Sequence, residues 1–132
     1  MIPNSDDSSV NKAFTIMHIN IQCLRNKIHN LEVFLYRWKP MVICICEHWL
    51  KSDEINLYIP DGYSLVNSYC RTEFKNGGTC IFIKVGISYN LFDLSKYCVE
   101  KVFEISAVLL IDFNILVIAL YRSPSGNVKE FN

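Results

Sequence analysis

Three polar side chains stand where apolar runs stop: Asn20 after Phe14–Ile19, Glu47 after Met41–Cys46, and Tyr121 after Ile115–Leu120. In α/β folds the ends of strands are where side chains reach a crevice while the sheet fixes their backbone. Glu47 is the most informative of them. A carboxylate directly behind Val-Ile-Cys-Ile-Cys is expensive to bury unless it is paired, hydrogen-bonded or bound to a metal. Two readings stay open at this point: a ligand role, or a side chain that has simply emerged into solvent at the end of its strand.

The elements that must position these residues follow from periodicity. Phe14–Asn20 is rich in β-branched and aromatic residues and predicts a strand, with Ile16, His18 and Asn20 on one face and Met17 and Ile19 on the other. Leu24, Ile28, Leu31, Leu35 and Trp38 recur at helical spacing, with Arg25, Lys27, Asn30 and Arg37 between them, and predict an amphipathic helix that stops near Pro40. Met41–Cys46 is a continuous apolar run, the pattern of a strand covered on both faces. Strand, helix and strand in this order and spacing form a βαβ unit.

Beyond it the chain turns loop-rich. Lys51–Asp61 is polar and Pro60-Asp61-Gly62 is a turn signal. Tyr63–Tyr69 and Thr79–Val85 predict a hairpin whose connection contains Asn76-Gly77-Gly78, residues suited to positive φ. Ser88–Glu100 has no clear pattern. Phe103–Ile111 and Ile115–Tyr121 predict a second hairpin around Asp112-Phe113-Asn114, and Val128–Asn132 resembles the first turn of a helix. No repeat or low-complexity segment is present.

Composition sets the outer bounds. With 132 residues, 51% of them hydrophobic, the chain suits one domain and is too apolar for intrinsic disorder. Thirteen basic residues balance thirteen acidic ones, which argues against a basic wrapper of nucleic acid; any such contact has to be local and site-directed. Residues 1–13 read as a polar disordered leader with no apolar signal segment, and residues 14–132 as the domain. The six cysteines form no C-x-x-C pair, so they read as buried free thiols of an intracellular protein, in nucleus or cytoplasm, rather than as disulfides or a zinc site. The longest apolar stretch, Ala107–Tyr121, is interrupted by Asp112 and Asn114 and is shorter than the ~20 residues of a membrane span.

Five short motifs in order carry a family resemblance. Asn20-Ile-Gln-Cys-Leu-Arg25-Asn26-Lys27 resembles the first motif of non-long-terminal-repeat retrotransposon endonucleases. These belong, with the abasic-site endonucleases and DNase I, to the endonuclease/exonuclease/phosphatase superfamily. Cys46-Glu47-His48-Trp49-Leu50 resembles the second motif. Pro60-Asp61-Gly62-Tyr63, then Arg71 with Gly77-Gly78 before a strand, follow the family's order, and Tyr121-Arg122-Ser123-Pro124-Ser125 resembles its Tyr-Arg-x-Pro-Ser motif. The resemblance implies a partial four-layer αββα sandwich of the DNase I type, of which this chain is roughly the first half. It implies phosphodiester hydrolysis assisted by Mg²⁺ or Mn²⁺, used to nick target DNA. Glu47 then holds the metal, Asn20 organises the same pocket, and Tyr121 binds the scissile phosphate or supports its neighbours. Arg25, Asn26 and Arg122 then face DNA, while Lys27 reads better as an ordinary helix start. The intact parent would be linked to a reverse transcriptase, with no membrane and no specific protein partner implied.

Departures from the pattern shape the remaining expectations. Gln22 stands where the abasic-site enzymes have an acidic residue, and His48 replaces a threonine-like residue, reading as a partly exposed loop histidine. His18 reads as a satisfied core or rim residue. The family's later Gly-Asp-x-Asn and Ser-Asp-His motifs do not occur in these residues. General-base help is worth ~10²–10⁴-fold, so the chain is expected to be nearly inactive alone. The remainder of such a domain is also expected to supply the second sheet, leaving the Ile115–Leu120 strand bare and the chain poorly soluble. Two rival readings are a non-catalytic remnant that binds a partner or nucleic acid, and a phosphodiesterase of the same superfamily acting on a phospholipid.

Overall fold

A computed structural model describes residues 13–124. Residues 1–12 of the expected leader and the helical turn expected at 128–132 lie outside the described residues. The chain runs through β1 (Ile16–Asn20), α1 (Ile28–Trp38), β2 (Val42–Cys46), β3 (Tyr63–Tyr69), β4 (Thr79–Lys84), β5 (Tyr89–Leu91), β6 (Glu104–Leu110) and β7 (Ile115–Tyr121). β1 to β4 form one sheet in the order β1-β2-β4-β3, and β5 to β7 a second in the order β5-β6-β7.

The βαβ unit forms as its periodicity predicts, β1 and β2 pairing in parallel from Ile16↔Val42 to Asn20↔Cys46. Leu31 and Leu35 of α1 are buried against Ile43 and Ile45 of β2 and Phe82 of β4, with Met17 and Ile19 of β1 packed at the margin. On the reverse face Val42, Cys44, Ile81 and Ile83 meet Val108, Leu110, Val117 and Ala119 of the second sheet. All five residues of β2 are therefore buried, which is what its unbroken apolar run required. The helix begins later than the spacing suggested: Leu24 is fully buried in a separate 3₁₀ turn, Leu24–Asn26. Trp38 is 61% exposed, because Lys39 turns left-handed directly behind it and closes the helix, its backbone N–H donating a hydrogen bond to Leu35 O.

Both hairpins are present. β3 and β4 pair antiparallel with a bulge between Leu65 and Asn67, and Asn67 Nδ2 crosses to the second sheet, donating to Ala107 O at 2.8 Å. β6 and β7 pair in full register from Glu104↔Tyr121 to Leu110↔Ile115, with Asn114 left-handed in the turn. The segment without a pattern supplies the short β5 and a 3₁₀ turn at Ser95–Tyr97.

One expectation is corrected here. Three strands of the second sheet lie within the described residues, so the sandwich of helix, sheet and sheet is already closed on one side. The β6–β7 hairpin can do this because Val117 and Ala119 alternate with apolar neighbours and turn inward. β7 is thus bare on one face only: Val117 and Ala119 are buried, whereas Leu116, Ile118 and Leu120 are 40%, 45% and 45% exposed. That apolar row on an edge strand is a template for self-association. Replacing Leu116, Ile118 and Leu120 together by threonine should convert an aggregated gel-filtration profile into a monomer peak without altering the far-ultraviolet circular dichroism. A sharp monomer peak from the unaltered chain would contradict the reading of this row.

Candidate functional site

β2 must release Glu47 from a strand buried on both faces, and the backbone turns sharply to do so. Glu47 and Trp49 have φ of 60° and 62°, and Gln22 and Cys23, in the loop beside them, 49° and 83°. Left-handed non-glycine residues are costly and persist only where surrounding bonds impose them. Those bonds come from both sides. Cys23 N donates to Glu47 O and Leu24 N to His48 O, both at 3.0 Å, continuing the β1–β2 pairing past the strand ends. From the other side Glu47 N donates to Gly78 O at 2.7 Å and Trp49 N to Gly77 O at 3.0 Å.

The turn aims a half-buried carboxylate at two other strand ends. Asn20 Nδ2 donates to Glu47 Oε2 at 2.7 Å and Trp49 Nε1 to Oε1 at 3.3 Å. Burial, together with the charge and hydrogen bond of Glu47, pushes the Tyr121 phenol above its ordinary pKa, opposed by a hydrogen bond with Ser123. Asn20, Glu47 and Tyr121 are therefore brought together from β1, β2 and β7. All three donors to the carboxylate are uncharged, so they orient it without neutralising it. Among the described residues no group of three or more His, Cys, Asp and Glu side chains could hold a metal ion. The donor at this point is a single hard carboxylate, a type of ligand that suits an oxygen-liganded cation rather than the thiolate and imidazole set of a zinc cage.

The basic candidates are placed differently. Arg25 Nη2 donates to Glu54 Oε1 at 2.7 Å, and the Lys51 amide and this guanidinium hold the Glu54 carboxyl below its usual range. Asn26 is exposed at the end of the 3₁₀ turn, and Arg122 is half-buried directly after Tyr121. Lys27 is occupied locally, its ammonium capping Ile21 O and Gln22 O at 2.7 Å each, in keeping with a helix-start role. His18 is an exposed rim residue with Nε2 3.4 Å from Cys46 Sγ.

His48 is not the partly exposed histidine its sequence context suggested. It is fully buried, Nε2 lying 3.0 Å from Tyr69 O while Nδ1 accepts from Leu50 N at 2.8 Å. The Leu50 contact makes Nδ1 the acceptor and Nε2–H the donor, so the ring is the neutral Nε2–H tautomer. Gly78 makes room for it, since a Cβ there would overlap the imidazole.

Sequence reasoning missed Glu104 and the roles of Arg71 and Trp49. Glu104 is fully buried at the start of β6, where it accepts from Arg71 Nε at 2.6 Å and from the amides of Gly78 and Lys101 at 2.7 Å each. A carboxylate heading an apolar strand carries the same signal that singled out Glu47.

Burial lowers the His48 pKa to about 4, the hydrogen bonds to the backbone opposing it in part. The unfolded chain takes up this proton near pH 6.5 and the folded chain only near 4. The contribution is thus fully present above about pH 6.5 and is lost as pH falls towards 4, on the order of 2 kcal/mol by pH 5. Urea midpoints between pH 7.5 and 5 should show this slope, and His48→Gln should flatten it; parallel profiles would contradict the assignment.

Comparison with known proteins places the fold. No protein-family model and no curated protein matches the chain. Among solved structures it is similar to an AP endonuclease from Archaeoglobus fulgidus, with a TM-score of 0.54 and 19% identity over 80% of this chain and 40% of that one. It is also similar to the AP endonuclease LMAP from Leishmania major, with a TM-score of 0.50 and 24% identity over 68% of this chain and 32% of that one. The chain thus spans about a third to two-fifths of the AP endonucleases it matches, and over that part it has their mixed α/β, DNase I-like fold.

Proposed function

We propose that this chain is part of a Mg²⁺- or Mn²⁺-dependent DNA endonuclease domain of the retrotransposon type, to which it contributes Asn20, Glu47 and Tyr121. The observation that carries the reading is their convergence: three residues far apart in sequence, each ending a different strand, meet at one carboxylate. The fold likeness to AP endonucleases supports the nuclease class. The order of Trp49-Leu50 and Tyr121-Arg122 supports the retroelement branch. In the parent element the nick would leave a 3′ hydroxyl for a linked reverse transcriptase.

In this reading Glu47 is the protein ligand of the cation, and Asn20 and Trp49 fix its rotamer. The bound cation supplies Lewis-acid polarisation of the phosphoryl oxygen and stabilisation of the leaving oxygen. Tyr121, its pKa raised, keeps its proton near neutral pH and, exchanging the Glu47 carboxylate for substrate, donates it in a hydrogen bond to a phosphate oxygen. Arg122, directly after Tyr121, and the exposed Asn26 take the DNA backbone, whereas Arg25 reaches a phosphate by exchanging Glu54 for it. Water activation falls to the Gly-Asp-x-Asn and Ser-Asp-His motifs that this sequence lacks. The protein acts inside the cell, where its DNA substrate is; no described helix is long and apolar enough to cross a membrane.

Manganese titration followed by electron paramagnetic resonance tests the metal assignment. One site, competed by Mg²⁺ and abolished in Glu47→Gln, is expected; unchanged binding in that variant would refute it. Sequencing the transcript beyond the Asn132 codon tests the nuclease assignment. If the frame continues into both later motifs, the extended protein should nick supercoiled plasmid, and Glu47→Gln should slow it by about 10²-fold or more. An extended protein that carries both motifs and leaves the plasmid intact would refute the endonuclease reading.

A further inference from the structure

The Arg71–Glu104 pair lies outside the Asn20–Glu47–Tyr121 group, and its placement gives it a task there. Both side chains are almost fully buried, at 5% and 0% exposure, Arg71 in the connection between β3 and β4 and Glu104 at the start of β6. Burying an ion pair brings little stability of its own, since desolvation offsets the attraction. Its bonds are directed at one loop. Glu104 Oε1 accepts from Gly78 N, while Oε2 accepts from Arg71 Nε and Lys101 N. Arg71 Nη1 donates to Lys75 O at 2.7 Å, and Lys51 Nζ donates to Arg71 O and Phe74 O. Gly77 rests directly against the guanidinium, where a Cβ would overlap it. This clamped loop presents Gly78 O to Glu47 N and Gly77 O to Trp49 N, the bonds that hold the two left-handed residues of the site.

We propose that Arg71 and Glu104 are positioning residues: their buried pair fixes the Gly77-Gly78 turn, which in turn holds the Glu47 carboxylate and the Trp49 indole in their mutual orientation. The relay is short and continuous, running from the second sheet through one glycine turn to the end of β2. The metal-affinity part of this inference rests on the function proposed above. The orientation part does not.

Single replacements of either partner leave a buried charge alone and threaten the fold. The informative variant is the double Arg71→Met/Glu104→Leu, which removes the charges together and keeps the space filled. In a Trp38→Phe background the only indole ¹H–¹⁵N signal is that of Trp49, and it reads the Glu47 contact without any metal. The double variant should remain folded, shift or broaden that signal towards that of Glu47→Gln, and weaken Mn²⁺ binding by about tenfold or more. Asn67→Ala, which removes an inter-sheet bond elsewhere, should leave both readouts in place. A folded double variant with the parental Trp49 signal would overturn the proposal. Should the double variant unfold, Arg71→Lys is measured instead, because lysine keeps the charge but cannot reach Glu104 and Lys75 O together; an unmoved indole signal there overturns the proposal equally. A parent that binds no Mn²⁺ refutes the metal reading alone, and the indole signal then decides the positioning role.

Discussion

A strand sealed on both faces cannot carry a charge out to solvent gradually. β2 lies between α1 and the second sheet, and the first residue beyond it is a glutamate. The backbone must leave the sheet within a single residue, which for an L-amino acid means a left-handed conformation that nothing local favours. Everything around Glu47 answers that demand. The loop after β1 continues the ladder on one side, and the glycine turn before β4 supplies the carbonyls on the other. The carboxylate is then aimed by geometry fixed in the backbone, not by a flexible side chain in a loop.

The same constraint explains the local residue choices. Positions facing the turn need the absence of a side chain, since Gly77 lies on the Arg71 guanidinium and Gly78 on the His48 imidazole. His48 fills the space under the turn with a group that joins Leu50 N to Tyr69 O, so that two loops and a strand end share one ring. Glu100 performs a comparable task at the outer end of the same connection, its carboxylate accepting from the amides of Thr72, Glu73 and Phe74. Carboxylates at two depths thus shape one loop, Glu100 at the surface and Glu104 in the interior.

How much of this could be read from the sequence divides along a physical line. Strands, helix and hairpins were legible because period and turn chemistry are local: the β2 run, the Asn76-Gly77-Gly78 turn and the Asp112-Phe113-Asn114 turn each declare themselves within a few residues. Glu47 was legible as an anomaly, a charge behind an apolar run. The depth of His48 was not, because its partner Tyr69 lies 21 residues away and is met through a backbone carbonyl. Nor was the Arg71–Glu104 pair, whose members are 33 residues apart, one in the β3–β4 connection and the other at the head of β6. The late helix start failed for a different reason, since Leu24 keeps the helical spacing of its neighbours while belonging to a separate turn.

The cysteines give the core a property of another kind. Cys44, Cys46 and Cys80 sit on β2 and β4, sealed from solvent, and burial pushes the first two thiols up to about 12 and about 11 and the third well above its usual value. The thiolate is the nucleophile that attacks thiol reagents, so in the closed sandwich these sulfurs are chemically silent. They become reactive only when the layers part. The rate at which an alkylating reagent consumes them therefore clocks the opening of the core without an added label, Cys44 timing the separation of sheet from sheet and Cys80 that of helix from sheet.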